Sequence, residues 1–161
     1  MGVSQVRIKW NTGNTFVQRV RYGAVALVMV LPGISPAVFS GPDVLLQTQT
    51  TWEGGDIVYP NGDAEVTSVI LRIEEGQEPP FHCHPVPTMG YVLSGEAQVE
   101  TAAGESVILK EGDAVVEVLR TVHRGKALRG PVEILVFYAG AAGTPNTVLP
   151  DDALASVHCD L

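Results

Sequence analysis

Beyond residue 40 the apolar positions alternate in short runs, and none keeps a helical period over a useful length. The β-branched segment Glu65 to Ile73 predicts a long strand, and the looser alternation from Val44 to Thr50 predicts an earlier one. Turns are expected at Trp52–Asp56 and Tyr59–Asp63, where Gly, Pro, Asn and Asp gather. Further strands follow around His82, from Met89 to Leu93, from Ala114 to Leu119, around His123 and from Val132 to Tyr138. Glu96–Thr101 and Glu105–Leu109 flank Ala103-Gly104 and predict a hairpin. Short strands with turn signals at such intervals specify an all-β sandwich or barrel.

The first forty residues do not follow this pattern. Arg7, Lys9, Arg19 and Arg21 occur there without an acid, ahead of an uncharged apolar run from Tyr22 to Leu31 that Pro32-Gly33 ends. This is the order of a secretory signal, with cleavage expected after Ala37 or Ser40. An apolar run of about ten residues is half of the ~20 a spanning helix needs, so no stable membrane insertion is expected. The chain therefore divides into a leader over 1–40, a β-barrel domain over 41–140 and a C-terminal tail over 141–161, and the product is expected to be exported, periplasmic or secreted.

Composition agrees with one compact domain of short strands: many glycines and prolines, and only 6% aromatic residues. All eighteen acids lie after residue 40 with six of the ten cations, so that part carries 6 − 18 = −12. Nucleic acid is not a natural partner for such a surface. Arg120, Arg124, Lys126 and Arg129 are four of those six cations and bracket His123. They form either a positive rim that steers an anion or a charged edge that discourages strand pairing.

The candidate chemistry lies in three histidines. On a strand, His82 and His84 project from one face and Cys83 from the other, so two imidazoles can reach one ion. A neighbouring strand bearing His123 would complete a facial set of nitrogen donors and leave other positions open. Unligated histidines packed in a barrel are the bland alternative.

Gly76, His82-Cys83-His84, Thr88 and Gly95, followed by Gly112-Asp113 and His123, keep the spacing of the two motifs of the cupin superfamily, which this chain resembles over about residues 65–139. The resemblance implies a double-stranded β-helix of the jelly-roll kind with a metal site inside, and a symmetric homodimer as in many cupins. The family's fourth ligand, a glutamate, falls at Thr88; its proline, glycine and asparagine fall at Val118, Arg120 and Ala127. Without that carboxylate the ion keeps its full charge, which favours anionic ligands, and the donors suit zinc, iron(II), copper or nickel rather than manganese or magnesium.

Other candidates are weaker. Alternation places Ala114, Val116 and Val118 inward and Glu117 outward; with the face reversed, Glu117 could replace the missing ligand or act as a general base. Tyr91 is a second catalytic candidate, with barrel-wall packing as its ordinary role. Arg120, Arg124 and Thr88 are candidates for substrate contact. Cys83 and Cys159 are expected to be unpaired, since nothing in the sequence places the tail against residues 80–84; a bridge closing their 76-residue separation would contribute roughly 4 kcal/mol in the chain-entropy model. The function expected is that of an exported single-domain cupin that binds a divalent transition metal and acts on a small anionic organic molecule, as a dioxygenase. The competing class is a non-catalytic module that captures or senses a small ligand, with or without metal.

Overall fold

The computed structural model describes residues 41–161, which form one compact unit. The leader and its cleavage sites lie outside the described residues. Five strands carry the fold: β1 (Ala64–Ile73), β2 (Thr88–Thr101), β3 (Ser106–Lys110), β4 (Ala114–Val116) and β5 (His123–Ala141). One helical turn, α1 (Ala155–His158), is too short to be more than a connector. Among the described residues no helix is long and apolar enough to cross a membrane.

The five strands pair antiparallel throughout, in the order β1-β5-β2-β3, with β4 joining β2 as well. β2 is long because it serves two neighbours in turn. Its first half pairs with β4 from Met89 to Tyr91, and its second half pairs with β3 from Glu96 to Glu100. Register irregularities between Val92 and Ala97 bend it against β5 at the junction, which curls the sheet into a barrel. Gly95 makes the bend possible. Its φ is +82°, and a Cβ there would lie 2.7 Å from the Pro131 carbonyl oxygen.

The predicted hairpin is present, with Thr101 N donating to Glu105 O across the turn. Val44 to Thr50 is not a strand. Its residues are exposed, and the pairing found there is a single bridge from Thr50 to Asp56, so alternation without a sheet edge to join did not suffice. Inside the barrel, Val92, Val99, Val132, Ile134 and Val136 form the main cluster with Ile73 and Leu109.

Residues 141–161, expected as a tail, fold back onto the domain. Cys83 and Val148 exchange backbone hydrogen bonds at 2.9 and 3.0 Å, and Cys83 is disulfide-bonded to Cys159. The expectation of unpaired cysteines is therefore wrong. Cys83, Val148, Ala155 and Cys159 make a second small core, with Val122 packed against it, that no local sequence pattern announces.

Candidate metal centre

The three histidines meet because their backbones are paired. His82 and His123, 41 residues apart in sequence, donate to each other's carbonyls at 2.8 Å each way. His84 O accepts from Arg120 N at 2.8 Å, which extends the same alignment. The imidazole centroids form a near-equilateral triangle with sides of 4.6, 4.9 and 5.0 Å. One ring nitrogen from each histidine lies within 4.8 Å of the others, close to the ~3–4 Å that two nitrogens on one ion span.

Each ring is aimed by a backbone carbonyl. His82 Nδ1 lies 2.9 Å from Pro80 O, His84 Nδ1 2.8 Å from Asn146 O, and His123 Nδ1 2.8 Å from Thr121 O. A carbonyl oxygen can only accept, so all three Nδ1 atoms carry the proton and all three Nε2 lone pairs are free. This is the arrangement that orients metal-ligating imidazoles in general. Burial reinforces it. Desolvation lowers the pKa of all three rings, that of His84 to about 3, and so keeps them neutral.

Glu117 faces this cluster. Val115 packs in the barrel core and Glu117 lines the cavity, so β4 and the residue after it present the face opposite to the one expected from alternation. Val116 and Val118 are buried on the other side, and a run buried on both faces erases the polar–apolar signal that alternation relies on. Glu117 N donates to Thr88 O at 2.8 Å, continuing the β2–β4 register by one pair. Opposite residues of such a pair share a face. The Glu117 carboxylate thus stands beside Thr88, the position that lacks the family glutamate.

Glu117 Oε2 is 3.7 Å from His123 Nε2 and is buried without a hydrogen-bond partner. Desolvation raises the carboxyl pKa to about 7, against a smaller opposing influence of His82 and of the nearby Trp52 indole, whose N–H is itself unpartnered. An orphaned carboxylate oxygen beside three converging imidazole lone pairs is the environment a divalent cation satisfies.

The remaining wall is mainly aliphatic and encloses a cavity of about 270 Å³. Thr88 lines it, but its hydroxyl donates to Val86 O at 3.0 Å and is already spent. Tyr91 does not reach it: Gly90 faces the cavity, and its neighbour in the strand projects from the other face. Tyr138 lines the cavity instead. Its ring lies 5.5 Å from that of His84, and desolvation raises its pKa, partly offset by Thr147. The shared face of Ile134, Val136 and Tyr138 was legible in the strand and was missed.

The proposed cationic rim is also corrected. Arg124 pairs with Glu78 at 3.0 Å and Glu100 at 2.6 Å and stacks over Phe81, Lys126 pairs with Glu78, and Arg120 pairs with Asp160 at 3.0 Å. None of the three lines the cavity. Arg120 has a structural task instead. It holds φ at +63°, the left-handed conformation that suits the family's glycine, while its Nη1 donates to Val157 O at 3.1 Å.

Comparison with known proteins accords with this architecture. Residues 69–138 match the cupin domain family, so that stretch is a cupin domain, and the antiparallel strands around it give the all-β double-stranded β-helix fold. Among solved structures it is similar to the DMSP lyase DddQ from Ruegeria pomeroyi, at 26% identity over 54% of this chain and 45% of that one, with a TM-score of 0.47. An uncharacterized conserved protein with a double-stranded β-helix domain from Klebsiella pneumoniae matches at 25% identity over 58% and 81% of the two chains, with a TM-score of 0.45. Oxalate decarboxylase from Lactobacillus farciminis matches at 20% identity over 56% and 28%, with a TM-score of 0.47. The chain spans less than half the length of the DMSP lyase and of the oxalate decarboxylase, and most of the length of the uncharacterized protein. No curated protein matches it.

Proposed function

We propose that the protein is a metal-dependent enzyme that holds a divalent transition ion through His82, His84 and His123 and acts on a small anionic organic molecule, with Glu117 as its acid–base group. The observation that carries this is the locking of all three Nδ1 atoms by backbone carbonyls, which leaves three Nε2 lone pairs pointing into one cavity. When bound, a divalent ion supplies Lewis acidity towards an anionic oxygen of the substrate. Glu117 lies close enough to that centre to hold or accept a proton, and the aliphatic wall excludes water. Since the arginines are paired elsewhere, selectivity for an anion rests on the ion's charge and not on a cationic rim. With iron or copper bound, neutral donors and open positions suit a dioxygenase.

A non-catalytic binding module is favoured by one feature, the scarcity of polar side chains on the wall beyond the histidines, Glu117, Thr88, Tyr138 and Thr147. Metal analysis of protein purified without supplementation, with each histidine replaced in turn by Ala, tests the centre. One equivalent of ion is expected in the parent, with similar losses in His82→Ala, His84→Ala and His123→Ala and none in His158→Ala. Stoichiometric metal in His123→Ala would refute the shared site.

A further inference from the structure

The segment after β5 is bridged to the extended stretch between β1 and β2 that carries two of the ligands. Cys83 lies between His82 and His84, and its sulfur is bonded to Cys159. Its backbone exchanges hydrogen bonds with Val148. Two residues before Val148, the Asn146 carbonyl takes the Nδ1 proton of His84 at 2.8 Å, and the flanking Thr147 and Leu149 line the cavity. The far end is held by Arg120, which receives Asp160 N on its carbonyl at 2.9 Å and binds the Asp160 carboxylate.

These attachments differ in kind. The Arg120–Asp160 ion pair is solvent-exposed on both sides and contributes little. The terminal turn has few residues, and its Leu154 and Val157 are exposed, 56% and 60%. The second core contains four buried residues, two of which are the bridged cysteines. The covalent link is therefore the main restraint on a segment that would otherwise open locally at small cost.

We propose that the Cys83–Cys159 bridge is a redox-sensitive latch on the metal centre: reducing it frees the C-terminal segment, removes the carbonyl that orients His84, and lets the ion escape faster. This rests on metal binding by the three histidines. The reductant is a dithiol. One of its thiolates attacks the Cys159 sulfur when the terminal turn frays, the S–S bond breaks, and Cys83 leaves as a thiolate that takes a proton. The second thiol of the reductant then displaces Cys159, which leaves as a thiol, so two electrons and two protons enter the protein and the reductant becomes a disulfide. Asn146 acts here as a positioning residue, through its backbone alone.

The test uses the full chain loaded with zinc(II), which undergoes no redox change, and follows its transfer to an excess of a chromogenic chelator. Release is compared with the bridge intact and after reduction by a phosphine, which becomes its oxide with oxygen from water. The reduced protein is expected to release zinc on the order of 10-fold faster, the range found when a partner that orients a ligand is lost. A Cys83→Ala/Cys159→Ala double variant should release at the reduced rate whether or not phosphine is present, with its β-sheet circular dichroism retained. Release rates within about twofold for the oxidised and reduced parent overturn the latch, as does phosphine acceleration in the double variant. Should the double variant not fold, the parent comparison still decides. Failure of the oxidised parent to take up zinc at all would instead remove the metal centre, and the latch with it.

Discussion

Glu117→Gln separates what the carboxylate costs the fold from what it does for the ion. In the metal-free protein, burial raises the carboxyl pKa from 4.5 to about 7, so the folded state binds that proton more tightly than the unfolded state does. Stability from this group is intact below pH 4.5, falls as pH rises from 4.5 to 7, and is lowest above 7. A difference of 2.5 units is worth roughly 3 kcal/mol, of which about 2–3 kcal/mol develops between pH 5 and pH 8. Glutamine has no such titration. Its amide inherits an unsatisfied buried position at about 1 kcal/mol, but that cost does not vary with pH. Urea unfolding of the metal-free proteins at both pH values should show Glu117→Gln gaining on the parent by roughly 2–3 kcal/mol on going to pH 8. Metal affinity should change in the opposite direction, because the ion loses its nearest carboxylate. Parallel pH profiles for the two proteins would mean that Glu117 is solvated and does not face the histidines.

Thr88→Glu restores a carboxylate at the family position, on the face shared with Glu117, and should move metal preference towards harder ions such as manganese, with a loss of about 1–3 kcal/mol in the metal-free state from crowding a side chain that is 2% exposed. Competition between manganese and zinc measures it, and selectivity equal to the parent's would show that position 88 does not reach the ion. The basic, acid-free leader predicts export, so protein recovered from its native host should begin near Val38 or Gly41. Intact residues 1–40 on a soluble cytoplasmic product would reject that assignment.

Much of the centre was legible in one dimension. The spacing of His82 and His84 follows from the period of a strand, and period 2 suffices to put both imidazoles on one face. The Ala103-Gly104 hairpin was equally plain, since its strands are close in sequence and its turn chemistry is local. Tertiary structure alone decided the rest, because each remaining feature depends on which segment lies beside which. The face presented by Glu117 is set by pairing with Thr88, and alternation misleads where both faces of a run are buried. The fate of Arg120, Arg124 and Lys126 depends on carboxylates between 24 and 48 residues away, which turn an apparent cationic rim into paired surface charge. Val44 to Thr50 has the pattern of a strand but meets no edge with which to hydrogen-bond. Cys83 and Cys159 found each other across 76 residues because Val148 pairs with Cys83 and turns the chain back, a contact that neither segment encodes locally.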